Sequence, residues 1–213
     1  MELFTAVEAF TQVMTYVMIV AGVPPCLEMI KSRVTEGVPY PFFLAGLVNS
    51  LLSIGYGVMV DNSTLIQINA VAGFFNVFYV GSYVFISPKK SAPLQQLLLS
   101  VLLVLAVQVY ASRLVPEVQR QDHVGFILLV VSTVMLLTPW LQVKYCVSQQ
   151  SGASLSLVML GAGIVCCTAW FAYGYLLHDV YIYSPNLLGL SSYVGQIWVL
   201  AVYGRAKPRD KQE

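Results

Sequence analysis

Apolar residues in this chain run in unbroken stretches rather than alternating. Seven of them, roughly 6–29, 41–60, 65–86, 94–113, 123–146, 154–177 and 181–204, hold few charges or none. A helix rises 1.5 Å per residue, so about 20 residues cross a hydrocarbon core of about 30 Å. Each stretch is therefore predicted as a transmembrane helix. Outer-membrane strands would alternate every second residue, which these runs do not. The first stretch carries Glu2 and Glu8 in place of a basic start, runs too long for a signal peptide and lacks a small-residue cleavage site. It is expected to be a mature span.

Composition agrees. The 213 residues are 58% hydrophobic and 10% charged, with a mean hydropathy of +0.75, more apolar surface than one soluble core of this length can hide. Lys31, Arg33, Lys89, Lys90, Lys144, Arg205, Lys207, Arg209 and Lys211 fall on one side of the seven spans, and only Arg113 and Arg120 on the other. Basic loops stay inside, so the N-terminus is expected outside and the C-terminus in the cytoplasm. Cys26, Cys146, Cys166 and Cys167 lie in or at the ends of spans, with neither a disulfide framework nor metal-ligand spacing; no metal and no cofactor is expected. Asn62-Ser63-Thr64 is a glycosylation sequon in a loop so short that the acceptor is expected to lie too near the membrane for use. The basic tail reads as a topology anchor.

The chain also repeats itself. NSLLSIGYGVMVDNSTLIQINAVAG (49–73) laid over CCTAWFAYGYLLHDVYIYSPNLLGL (166–190) pairs Tyr56-Gly57 with Tyr173-Gly174, Asn62 with Asp179 and Asn69 with Asn186. With a small gap, Pro24 and Gly37 match Pro139 and Gly152. Each copy holds three spans, so a copy placed directly after the first would be inverted. The charge bias requires spans 1 and 5 to run the same way, and span 4 restores the parity. Its LQQLLLSVLLVLAVQVY (94–110) has no Gly, Pro or Asn, as suits a connector. The expected fold is an all-α membrane protein, two parallel three-helix repeats joined by a linker helix. The expected boundaries are 1–90, 91–118 for the linker, 119–205, and a cytoplasmic tail at 206–213.

Between the loop-proximal Glu8 and Glu28 of span 1, and through the other span interiors, there is no Asp, Glu, Lys, Arg or His. Such groups mark proton relays and ion pathways, so passive movement of an uncharged solute is favoured. A retinal protein would need a lysine in the last span. A hydrolase would need a nucleophile with its base, or a metal, and His123 and His178 lie at loop edges. No enzyme activity and no nucleic-acid partner is expected. What polarity exists at depth is neutral: Asn49, Ser53, Asn69, Asn76, Thr168, Trp170, Tyr173, Asn186, Ser191, Ser192 and Gln196. Each could be interhelical hydrogen-bond glue, worth about 0.6 kcal/mol. Asn69 and Asn186 stand apart because they recur in both repeats, and transporter sites lie at repeat interfaces near the midplane. A carboxamide both donates and accepts, as a sugar hydroxyl does. Trp170 offers a flat face to the C–H side of a pyranose.

GVPPCLEMIKSRVTEG, then Asn49, Tyr56-Gly57 and Asn69, then TPWLQVK, TAWFAYG and SPN, resemble the SWEET sugar transporters of the animal type over nearly the whole chain. The resemblance implies a passive, bidirectional facilitator of mono- or disaccharides, glucose-like, working by alternating access as a homo-oligomer in the plasma membrane, the Golgi or another endomembrane. It makes Asn69 and Asn186 the sugar-contacting pair, with Trp170 and Cys166 opposite Ser53 and Asn49. Many relatives carry Trp where this chain has Ser53, which leaves substrate size open. It also implies four proline hinges near the inner gate. Pro24, Pro41 and Pro139 supply three, and Ser156 stands in the fourth place. Proline inside a helix removes a backbone hydrogen bond and bends the chain, though any one of these could be a kink or a helix start. Tyr56 and Tyr173 could gate the outer mouth, but an interfacial aromatic belt is the preferred reading. Asp179 could pair on closure or be a solvated loop acid. A receptor or cargo sorter on the related PQ-loop scaffold is the main alternative, with a scaffold protein acting through partners a third.

Overall fold

The computed structural model describes residues 2–35 and 40–205. Gly37 and the tail at 206–213, with Lys207, Arg209 and Lys211, lie outside the described residues. The helices are α1 (Glu2–Val20), α2 (Val23–Ser32), α3 (Tyr40–Met59), α4 (Ser63–Ile86), α5 (Ser91–Val109), α6 (Glu117–Leu136), α7 (Pro139–Gln149), α8 (Leu157–Leu176) and α9 (Val180–Tyr203), with a π-helical turn over Tyr110–Leu114 closing α5. Among the described residues there is no strand. Six helical stretches are long and apolar enough to cross a membrane: 2–32, 40–59, 63–86, 91–114, 117–149 and 157–176. The seventh predicted span is one helix, α9, of 24 residues, about 36 Å long. Asn186, Ser191, Ser192 and Gln196 dilute its apolar run.

Spans 1 and 5 are each broken where the sequence pairs its prolines. Pro24 and Pro139 stand in the first turn of α2 and α7, where a missing N–H costs nothing because that donor has no partner within the helix. Short bonds bridge the breaks, Gly22 N–H to the Ile19 carbonyl (3.2 Å) and Thr138 N–H to the Met135 carbonyl (3.1 Å). The Tyr79 hydroxyl adds a donor to the Ile19 carbonyl at 2.9 Å. Pro41 is the second residue of α3, and Ser156 is the N-cap of α8, accepting from Met159 N–H at 3.4 Å. Both are helix starts.

The chain forms two compact units, one holding residues 15–131 and the other 2–14 with 132–205. The division falls inside α1 and inside α6. In the first unit α3 packs on α4 and α5, and α2 on α4; in the second α9 packs on α8 and α7. Cys26, Met29, Tyr40, Phe43, Leu44, Tyr79 and Val80 form a buried cluster in the first. Val143, Cys146, Leu155 and Val199 form another in the second.

Both units contain the same helical hairpin. After Gly57 the chain turns through Asp61 (φ 52°), and after Gly174 through His178 (φ 56°), both left-handed. Asn62 N–H bonds the Gly57 carbonyl at 2.9 Å, and Asp179 N–H bonds the Gly174 carbonyl at 3.0 Å. The next helix then starts on the same residue's side chain. Asn62 Oδ1 accepts from Leu65 N–H at 2.8 Å, and Asp179 Oδ1 from Tyr181 N–H at 2.9 Å and Ile182 N–H at 3.3 Å. Asp179 is thus an N-cap. The glycines let the paired helices close. A Cβ on Gly57 would lie 2.9 Å from Ile66 Cγ1, and one on Gly174 2.7 Å from the Tyr183 backbone nitrogen.

Gly174→Ala pushes against backbone and should cost about 1–3 kcal/mol, read as a lower thermal midpoint in detergent. Gly161→Ala, with no heavy atom within 4 Å of the new Cβ, should leave the midpoint unchanged. Asn62→Ala should cost about 1 kcal/mol through the lost cap. Because Asn62 is held at the helix start, the wild-type chain from glycosylating cells should show no mobility shift on enzymatic glycan removal; a shift would contradict this placement.

Candidate functional site

The hairpin fixes where the repeated asparagines fall. Asn69 follows its cap Asn62 by seven residues, and Asn186 follows Asp179 by seven. Seven residues are nearly two turns and about 10 Å of rise, so each Asn lies almost directly below its cap. Both are buried, at 7% and 9% exposure. Each donates one Nδ2–H to the carbonyl four residues back, Asn69 to Leu65 and Asn186 to Ile182, both at 2.9 Å. That bond fixes which way the carboxamide faces. In neither case does the side-chain oxygen accept a hydrogen bond from another described residue. The oxygens themselves are not sealed off, since among the described residues only Thr133 Oγ1 is a buried side-chain polar atom without a partner, so each stays open to a donor from water or a ligand.

Asn76 makes the same bond, to the Ala72 carbonyl at 2.9 Å, but packs over Gly46, where a Cβ would come within 2.9 Å of its Oδ1. Its repeat mate is Tyr193, whose hydroxyl lies over Gly163, the mate of Gly46. The glycine notch recurs while the carboxamide does not. Asn76 is therefore read as packing.

In the first unit Ser53 is buried and Asn49 half-buried, one turn apart on one face of α3. In the second, Trp170 and Cys166 are both half-buried and hold the equivalent places on α8. Trp170 meets Tyr173 edge-on with centroids 5.8 Å apart, and Tyr173 stacks on Phe4 of α1 at 5.8 Å. The Thr11 hydroxyl reaches the Ala169 carbonyl, next to Trp170, at 3.2 Å and is fully buried. Each predicted site residue thus has its repeat mate in the corresponding place of the other unit. The prolines and Ser156 stand at helix breaks and starts.

The tyrosines need correction. Tyr56 and Tyr173 are 0% and 1% exposed, the largest fully buried side chains among the described residues. An aromatic belt residue must reach the interface, so the interfacial reading fails. Thr11 and Phe4 carried no signal in the sequence: one threonine and one phenylalanine in an apolar run announce no partner. The remaining depth polarity is structural. Ser192 donates to the Gly189 carbonyl at 2.6 Å, Thr168 to Ile164 at 2.8 Å, and Gln196 to Gln142 Oε1 at 3.5 Å, while Ser191 accepts from Trp140 Nε1–H at 3.3 Å. Among the described residues no cluster of His, Cys, Asp and Glu could hold a metal.

A family model described as "Sugar efflux transporter for intercellular exchange" matches this chain twice, over residues 6–91 and 122–208. The chain is 30% identical to "Sugar transporter SWEET1" of Mus musculus over 170 residues, 79% of this chain and 77% of that one. It is 24% identical to "Sugar transporter SWEET1" of Xenopus tropicalis, with 92% of each chain covered. It is 28% identical to "Bidirectional sugar transporter SWEET13" of Oryza sativa subsp. japonica, over 88% of this chain and 65% of that one. Among solved structures, "The 3.7 A resolution structure of a eukaryotic SWEET transporter" matches with a TM-score of 0.85 at 20% identity, covering 95% of this chain and 97% of that one, a likeness of fold.

Asn186 bonds only its own helix among the described residues, so Asn186→Ala should cost on the order of 0.6 kcal/mol. Its thermal midpoint and size-exclusion profile should match wild type; collapse of either would make Asn186 a structural residue.

Proposed function

This chain belongs to the SWEET family of sugar transporters, and on that premise we propose that it is a passive, bidirectional uniporter of a glucose-like mono- or disaccharide. The observation that carries the reading is the repeated buried asparagine with an unanswered carboxamide oxygen. A sugar hydroxyl can donate to that oxygen and accept from the second Nδ2–H, and no charge has to be desolvated to do so. Asn69 and Asn186 are the principal contacts. Trp170 supplies an apolar face for the ring, and Cys166, Asn49 and Ser53 shape the rest, Ser53 leaving more room than an aromatic would.

Uniport fits the absence of Asp, Glu, Lys, Arg and His from the interiors of α3, α4, α5, α8 and α9. The helix breaks ahead of Pro24 and Pro139 are the natural places for α2 and α7 to move relative to the spans they continue, giving alternating access. The protein is proposed as three plus one plus three helices in parallel repeats, N-terminus outside, working as a homo-oligomer in the plasma membrane or an endomembrane.

Labelled glucose and sucrose uptake by proteoliposomes, with and without a pH gradient, tests this. Saturable flux of at least one sugar, unchanged when the gradient collapses, is expected. No flux with any sugar would remove transport in favour of a receptor or sorter on the same scaffold, and flux that needs the gradient would remove uniport. Asn69→Ala and Asn186→Ala should each lower flux at subsaturating sugar by about tenfold, the equivalent of one or two lost hydrogen bonds.

A further inference from the structure

Away from these residues, the first unit has a cavity of about 280 Å³ between α2 and α4, lined by Ile30, Arg33, Gly81, Ser82, Phe85 and Ile86. Two cations converge on its exposed aromatic wall. The Arg33 guanidinium carbon lies 5.9 Å from the centre of the Phe85 ring and the Lys90 ammonium 5.6 Å from it, both within cation–π reach. Arg33 is held there by the left-handed end of α2, its N–H bonding the Met29 carbonyl at 3.0 Å. Lys90 is the N-cap of α5, a helix start that no side chain caps. Lys31 and Lys89 flank the pair in sequence, and none of the four makes an ion pair with an acid among the described residues.

Two like charges gathered on one ring repel each other, and one ring's quadrupole is a weak reason to hold both. An anion between them removes the repulsion. Ile30 of α2 and Phe85 and Ile86 at the end of α4, Phe85 68% exposed, give the same cavity an apolar wall. A soluble anion would have no use for the apolar wall, and an acyl chain alone none for the cations. We propose that this cavity seats an anionic phospholipid, its phosphate between Arg33 and Lys90 and its chain along Ile30, Phe85 and Ile86. It lies at the face to which the distribution of Lys and Arg assigns the cytoplasm, where anionic lipids concentrate.

The full-length chain in neutral detergent, titrated with fluorescent phosphatidylglycerol, tests the site by lipid binding, a readout independent of sugar flux. Saturable binding is expected, weakened about thirtyfold in R33Q/K90Q at about fivefold per cation and unchanged in K144Q, which removes an exposed lysine of the second unit. Equal binding by R33Q/K90Q, or an equal loss in K144Q, overturns the site in favour of diffuse attraction. Displacement by glycerol 3-phosphate at concentrations comparable to the lipid overturns the lipid as occupant and leaves a soluble phosphate. Should R33Q/K90Q not fold, Phe85→Leu, which keeps the apolar wall and removes the ring, is expected to weaken binding several-fold, and unchanged binding there overturns the proposal.

Discussion

Within a bilayer every backbone donor and acceptor has to be answered by protein, and the way this chain turns at one end of its helix pairs decides where its functional side chains lie. In both units a helix ends in a left-handed residue, Asp61 or His178, and the next begins on an Asx cap, Asn62 or Asp179. The turn leaves little backbone to water and brings the two helices so close that only Gly57 and Gly174 fit at the crossing. It also fixes register. With the first turn capped at residue 62 or 179, Asn69 and Asn186 necessarily fall on the cap's face about 10 Å deeper. Tyr56 and Tyr173, next to these glycines in sequence, are fully buried.

A neutral polar pair inside an uncharged interior suits an uncharged cargo. Had a carboxylate or ammonium stood at that depth, it would have required a partner or a proton and coupled transport to one. Here the carboxamides meet their own helices with one donor each and keep the remaining capacity for hydroxyls. The helix breaks at Pro24 and Pro139 fall between α1 and α2 and between α6 and α7, whereas the asparagines stand on α4 and α9, so in the proposed scheme the residues that contact cargo differ from those about which helices move. Pro185, buried just ahead of Asn186 inside α9, has no counterpart in α4, where Ile68 stands.

Much of this was legible because membrane spans and repeats are coarse signals. The described helices lie close to the seven apolar runs, and the pairing of Tyr-Gly, Asn62 with Asp179 and Asn69 with Asn186 is visible at one fixed spacing. The breaks in spans 1 and 5 were signalled by paired prolines, although proline in the first turn of a new helix looks in sequence like proline in the middle of an old one. Three things were not legible. Tyr56 and Tyr173 were misread because burial depends on what a neighbouring helix covers, and an aromatic at the end of a span has the same sequence signature on either face. Residues 2–14 group with 132–205 through Thr11 and Phe4, whose partners lie more than 150 residues away along the chain. The convergence of Arg33 and Lys90 on Phe85 depends on a left-handed helix end that nothing at Arg33 announces.

The central claim is that one saturable site, built on Asn69 and Asn186, carries sugar both ways without a gradient. Counterflow addresses it directly. Proteoliposomes preloaded with unlabelled glucose and diluted into a trace of labelled glucose, with no ion gradient, should accumulate label transiently above its equilibrium level, and the overshoot should vanish in Asn69→Ala. Absence of an overshoot from wild type, or an undiminished overshoot from Asn69→Ala, would contradict the account.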